Sequence, residues 1–278
     1  MQTDAPFRTI KAVVLDWAGT VVDFGSRAPM GAFVEVFHRF GVAISVAEAR
    51  APMGLPKRDH IAALMAEPGI AARWREARGS SPDEAAIDAV YEQFVPLNAS
   101  VVTDPDFSTL IPAAAETIAL LRRRGARIGS TTGYTREIME RLLPVAAAQG
   151  YQPDNLVCAG DLAAGRPTPL MMYRTFADLG VFPPGAVVKV DDTEPGIAEG
   201  VAAGTWTVGL AVSGNLVGLS LSEWQALPPA EQERLRADAT ARLKAAGADH
   251  VIDSLADLPG VIERIDAAGL RGERSLAA

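Results

Sequence analysis

Lysine is scarce in this chain. Of its 26 basic residues only four are lysine, Lys11, Lys57, Lys189 and Lys244, and the other twenty-two are arginine. A positive charge placed for solubility can be either residue, whereas an amine that condenses with a carbonyl can only be lysine. The stretch GLPKRDH, Gly54 to His60, therefore singles out Lys57. Cysteine is scarcer still: Cys158 stands alone, which excludes a disulfide within the chain. No apolar run approaches the roughly 18 residues of a membrane span. The opening MQTDAPFRTI lacks the basic-then-apolar build of a secretory leader. A cytoplasmic protein without membrane contact is the expectation. The net charge of −8 and a pI near 5.0 speak against a nucleic-acid surface, so any anionic ligand must be met by a local basic pocket.

What the chain does have, over 278 residues that are 49% hydrophobic, is a rhythm of short apolar runs, each followed by helical text. The runs are Ile10 to Asp16, Ala126 to Thr132, Asn155 to Ala159, Ala186 to Asp192, Thr205 to Ala211 and Asp249 to Asp253. They read as buried parallel strands. Helices are expected at Ala113 to Arg124, Thr135 to Gln149, Leu170 to Leu179, Pro195 to Ala203 and Pro229 to Ala246. Strand alternating with helix means an α/β fold around a mostly parallel sheet. About a hundred residues break the rhythm between the first two strands, too many for a loop. They carry helical segments at Pro29 to Gly41, Ser45 to Arg50, Arg58 to Met65 and Pro82 to Leu97. The expected division is an α/β core of 1–25 and 104–278 and an inserted all-helical cap of 26–103 that carries Lys57.

Ligands of open parallel sheets bind beyond the carboxyl ends of the strands. There the sequence places DWAGT with Asp16, STTGYT with Thr132, Gly133 and Tyr134, and DDT with Asp191 and Asp192. Carboxylates brought together by neighbouring strands repel unless a cation lies between them, and hard oxygen ligands suit Mg²⁺. Asp16 is then placed to attack phosphorus. Arg166, between a glycine and a proline in GRPTP, suits forked recognition of an anion.

With DWAGT, STT, the arginine of GRPTP and KVDDT in this order, and a helical stretch inserted after the first, the chain resembles the haloacid dehalogenase superfamily. The resemblance implies a Rossmann-like core. One position departs from it: the superfamily usually has a second aspartate two residues after the nucleophile, to protonate an oxygen leaving group, and here that position is Ala18. Losing such an acid costs on the order of a hundredfold in rate if the leaving group is an alkoxide. A carbon leaving group needs an electron sink instead, and a lysine iminium supplies one.

The fuller stretches LDWAGTVVDFG, EARAPMGLPKRDH, IGSTTGYTRE, AGRPTP, KVDDTEPGI and GTWTVGL resemble the phosphonatase family within that superfamily. The resemblance implies hydrolysis of the carbon–phosphorus bond of phosphonoacetaldehyde, with Asp16 as nucleophile and Lys57 as Schiff-base lysine. It further implies Mg²⁺ held by Asp16, the Ala18 carbonyl and Asp192. Thr132, Gly133 and Arg166 would hold the phosphonate, with Met53, His60 and Tyr134 around the amine. A homodimer through the cap is implied too, and the apolar face of Met30, Phe33, Val34, Val36 and Phe37 is a candidate surface for it. Some members carry a further carboxylate four residues after the metal-binding aspartate. Here Gly196 stands at that position, so a water or Asp191 is left to fill the role. His60 either relays protons or packs, and desolvation under the cap, together with the adjacent Arg58 or His60, is expected to lower the Lys57 pKa.

Overall fold

The computed structural model describes residues 5–270. Strands β1 Ala12–Leu15, β2 Arg127–Thr135, β3 Val157–Ala159, β4 Val187–Asp191, β5 Trp206–Leu210 and β6 His250–Ile252 form one sheet in the order β3-β2-β1-β4-β5-β6. Every pairing is parallel. Each strand grows out of one of the expected apolar runs, and β1 and β4 are buried at every position, as strands covered on both faces must be. Only β2 outruns its forecast, continuing past Thr132 to Thr135 through a shift of register against β3.

Helices α1 Ala28–Arg39, α2 Val46–Arg50, α3 Lys57–Ala66, α4 Pro68–Arg78 and α5 Glu84–Val101 all lie between β1 and β2. After them come α6 Pro105–Ser108, α7 Ala114–Arg123, α8 Arg136–Ala148, α9 Leu170–Leu179, α10 Glu194–Ala202, α11 Leu221–Ala226, α12 Pro229–Ala245 and α13 Leu258–Leu270. Sequence reading missed α4 because Ile70 and Trp74, its only buried residues, are too few to mark a period.

One face of the sheet, through Val13, Leu15 and Ile128, packs on Ile118 and Leu121 of α7, Ile138 and Leu142 of α8, and Ile262 and Ile265 of α13. Ala12, Val14 and Val187 face α9 on the other side through Met172 and Leu179. Helices α1–α5 build a separate core around Phe33, Phe37, Ile61, Leu64, Trp74, Val90 and Phe94. The apolar face of α1, read from sequence as a surface for self-association, is covered inside this core. Met30, Phe33, Val36 and Phe37 are buried and only Val34 stays half-exposed.

Candidate active site

β1 is the centre of the sheet, and the chain leaves it towards β2 on one side and β4 on the other. That divergence opens a crevice beyond the carboxyl ends of the strands. Asp16 follows β1 directly, its N–H donating to Val190 O at 3.1 Å so that it continues the sheet. Asp191 ends β4, and Asp192 follows. Oxygens of Asp16, Asp191 and Asp192 all lie within 4.8 Å of one another, and all three residues are buried.

Two buried cations stand among them. Arg166 Nη2 donates to Asp16 Oδ1 at 2.7 Å and to Thr131 O at 2.8 Å, while its Nε reaches Glu199 Oε2 at 3.2 Å. Lys189 Nζ donates to Thr131 Oγ1 at 2.7 Å and lies 3.0 Å from Asp191 Oδ2 and 3.2 Å from Glu199 Oε2. Burial pushes Asp16 up, with Arg166 opposing. Asp191 is held below the usual range despite its burial, because Arg166 and Lys189 both face it. Asp192 has no cation of its own. Burial and then the charges of Asp16 and Asp191 push it well up, opposed by donors such as the Asn215 N–H at 2.7 Å and the Thr20 hydroxyl at 3.2 Å.

Four buried carboxylates, Asp16, Asp191, Asp192 and Glu199, thus face two buried cations, Arg166 and Lys189, an excess of two negative charges. A divalent cation between Asp16 and Asp192 would remove that excess, and carboxylate oxygens are the donors Mg²⁺ prefers. Glycines make the cradle this tight. A Cβ on Gly19, at φ +81, would come 2.2 Å from Asp192 Oδ2, and one on Gly196 would come 2.0 Å from Asp191 Cγ. Gly196 is therefore the vacant space that the Asp191 carboxylate occupies.

Lys57, at the start of α3, enters from the opposite side. The turn before it presses its backbone into the core at three glycines, where a Cβ would meet a neighbour at close range. For Gly54 that neighbour is Thr193 Oγ1 at 2.5 Å, for Gly133 it is Leu55 O at 3.3 Å and for Gly165 it is Pro56 Cγ at 2.7 Å. Lys57 is 4% exposed, although lysine is almost never buried without a partner. Its Nζ lies 3.8 Å from Met53 Sδ, 5.3 Å from the Tyr134 ring and 5.7 Å from the Phe33 ring. It forms no ion pair with any of the described residues. Burial brings its pKa down to about 8; Asp16 and Asp192 pull it back up and Arg166 pushes it further down.

Lys57, Asp16, Ala18, Met53, Thr132, Gly133, Tyr134 and Arg166 line one cavity.

His60, expected beside the amine, does not reach this cavity. It is fully buried behind it, stacked on Phe33 at 4.0 Å, with Nε2 2.8 Å from Ala49 O. Burial and the nearby Lys57 push its pKa down to about 3, so it is a neutral packing residue and supplies no charge to the amine. Arg58 is turned outward, paired with Asp88 and Glu84 at 2.7 Å each. Burial lowers the Lys57 pKa as expected, but the helping charge comes from Arg166 and not from either neighbour in the chain. Asp191, held in reserve from sequence for the outer metal shell, lies with Asp16 and Asp192 and is at the same time the counter-ion of Arg166 and Lys189. Sequence reasoning passed over Lys189, Thr131 and Glu199, although a lysine inside an apolar strand was already a signal in a chain with four lysines.

Comparison with known proteins places this geometry. A family model described as haloacid dehalogenase-like hydrolase matches residues 10–204. A phosphonoacetaldehyde hydrolase of Paraburkholderia phytofirmans is 55% identical over 265 residues, covering 95% of this chain and 98% of the relative. One of Salmonella typhimurium is 51% identical over 267 residues, with the same coverage of 95% and 98%. The crystal structure of a phosphonoacetaldehyde hydrolase-like protein from Oleispira antarctica superimposes with a TM-score of 0.94 at 41% identity, covering 99% of each chain. The chain belongs to the haloacid dehalogenase-like hydrolases, and among them to the phosphonoacetaldehyde hydrolase family.

Proposed function

We propose that this chain hydrolyses the carbon–phosphorus bond of phosphonoacetaldehyde to acetaldehyde and phosphate, with Lys57 as Schiff-base lysine and Asp16 as nucleophile. The observation that carries this reading is a buried lysine without an ion-pair partner among the described residues, lining the same cavity as a strand-end carboxylate and the Ala18 that replaces an acid. The names of the relatives agree with it.

The neutral Lys57 amine adds to the aldehyde carbon, and loss of water gives the iminium. Asp16 Oδ attacks phosphorus, the P–C bond breaks, and its electron pair moves into the iminium to form an enamine. No proton is needed on the leaving carbon at that moment, which is why Ala18 is tolerated. The enamine then takes a proton on carbon and is hydrolysed to acetaldehyde, freeing Lys57. Water cleaves the aspartyl phosphate and returns Asp16.

Arg166, already paired with Asp16, opposes the upward push of burial on the nucleophile and faces the phosphonate, while Thr132 and Gly133 offer donors at the end of β2. Met53 and Tyr134 enclose the amine and keep water from it. Mg²⁺, with Asp16, the Ala18 carbonyl and Asp192 as ligands, would supply positive charge at the phosphoryl oxygens. The same reading takes 26–103 as a cap on a core of 1–25 and 104–278, and a cytoplasmic homodimer joined through the cap.

Borohydride reduction in the presence of phosphonoacetaldehyde, followed by peptide mass mapping, tests the chemistry. A two-carbon adduct on Lys57 is expected. Its absence, together with high turnover of phosphate esters, would sink the proposal. Lys57→Arg keeps the charge and should abolish both adduct and turnover.

A further inference from the structure

Besides the packing of α5 on α8, two contacts tie helices α1–α5 to the carboxyl edge of the sheet. One is the glycine-lined turn before Lys57. The other is Arg50, the last residue of α2, whose guanidinium reaches out of the helical insertion into the core. Arg50 Nη1 donates to Gly25 O at 2.8 Å and to Asn215 O and Oδ1 at 2.9 Å each, and Nη2 donates to Gly218 O at 3.3 Å. The core keeps room for it, because a Cβ on Gly218, at φ +70, would come 2.6 Å from Arg50 Cζ. Asn215 turns its own N–H to Asp192 Oδ2 at 2.7 Å. In the same loop Ser213 accepts from Gly25 N at 2.8 Å and donates Oγ to Gly19 O at 3.1 Å.

We propose that Arg50 is a positioning residue that seats the helical insertion on the core and, through the Asn215 loop, couples that seating to the Asp192 carboxylate.

Three further observations support this role. Lys57 and Asp16, on the two sides of the seam between insertion and core, are only 4% and 6% exposed, so a substrate reaches both when that seam parts. The linker beside Arg50 is shaped for a pivot. Asp23 at φ 56, Gly25 at φ 87 and Ser26 at φ 51 are all left-handed, a conformation that non-glycine residues keep only when their surroundings enforce it. The acceptors of Arg50 are all neutral oxygens, with Asp23 and Asp192 acting only at longer range. Water can replace neutral oxygens as the seam parts, whereas a buried ion pair broken in that way would leave a bare carboxylate. Parting the seam would also draw Arg50 away from Asn215, the residue that orients Asp192, and would uncover Lys57.

This role goes beyond the proposed reaction and is tested without any phosphonate, so its failure would not be confused with failure of the Schiff-base chemistry. The full chain is prepared as Arg50→Ala, Arg50→Lys and Asn215→Ala. Each is treated briefly with trinitrobenzenesulfonate, and labelling is quantified peptide by peptide, with exposed Lys244 as internal control. Mg²⁺ affinity is measured by titration calorimetry and folding by circular dichroism.

In Arg50→Ala, Lys57 should label at least about tenfold faster, the scale set by losing charge-assisted bonds from a two-state equilibrium. Lys244 should be unchanged and Mg²⁺ should bind several-fold more weakly. Arg50→Lys should recover part of both effects, and Asn215→Ala, which keeps the N–H to Asp192, should speed labelling more than it weakens Mg²⁺. Wild-type labelling of Lys57 in a folded Arg50→Ala protein overturns the seating role, and faster labelling at unchanged Mg²⁺ affinity overturns the coupling. Should Arg50→Ala not fold, the other two variants decide by the same readings.

Discussion

The neutral amine of Lys57 is the most exposed point of the mechanism, and its pH dependence can be worked from the structure. Burial lowers the pKa from the ordinary 10.5 to about 8. At pH 7 roughly one amine in ten is then neutral, against roughly one in three thousand for a solvated lysine. That difference corresponds to about 3 kcal/mol. With Mg²⁺ saturating, log kcat/KM should rise with unit slope from pH 6 to about 8 and then flatten, followed as acetaldehyde release through a coupled alcohol dehydrogenase.

Met53→Glu perturbs the cause directly, because the new carboxylate would lie where Sδ is now, 3.8 Å from Nζ. Attraction at that distance is worth about 4 kcal/mol at an effective dielectric of 20, of which burying the carboxylate takes back roughly half. The limb should move up towards pH 9 to 10, and the rate at pH 7 should fall roughly thirtyfold. Met53→Gln, similar in size and uncharged, should leave the limb near 8. A wild-type limb at 10 or above, or identical profiles for Met53→Glu and wild type, would refute the role given to burial. The shift has a stability sign as well. Between pH 8 and 10.5 the folded chain binds fewer protons at Lys57 than the unfolded chain, so stability should rise with pH across that window.

Asp23 carries the opposite sign. Burial raises its pKa to about 6, so the folded chain binds more protons there than the unfolded one between about pH 4 and 6, and stability falls as pH rises through that range. Asp23→Asn keeps an acceptor for the Ala28 N–H and suits φ 56. Its melting temperature should match wild type near pH 4 and exceed it by several degrees at pH 7.5; a gap independent of pH would contradict the assignment. Gly54→Ala forces a Cβ to within 2.5 Å of Thr193 Oγ1 at φ +96. It should lift the Lys57 turn from the core and cut kcat/KM by about a hundredfold or more, since misplacement of about an ångström costs that much, while circular dichroism stays native. Gly196→Ala should expel the Asp191 carboxylate from between Lys189 and Arg166 and cost about 3 kcal/mol or more, the scale of a broken buried ion pair. Wild-type urea denaturation would show that Asp191 had another place to go.

Sequence alone was enough for the α/β alternation, the six strands and the insertion, because buried parallel strands must be continuous apolar runs and a hundred residues cannot be a loop. It also singled out Asp16, Asp192, Arg166 and Lys57 as candidates, which the fold brings to one place, because strand ends, the missing acid at Ala18 and the rarity of lysine are all one-dimensional signals. What it could not settle was which charges meet. Arg58 and His60 stand beside Lys57 along the chain, yet the helix turns one out to Asp88 and buries the other against Phe33. The charges that do act on the amine belong to Asp16, Arg166 and Asp192, all distant along the chain. Gly196 read as a missing carboxylate until the fold showed Asp191 filling its space. The contacts of Arg50 with Gly25, Asn215 and Gly218 likewise span up to 168 residues of chain. Spacing along a chain reports which residues share an element. Only the packing of elements against one another decides which charges are buried together, and burial sets the pKa of Lys57.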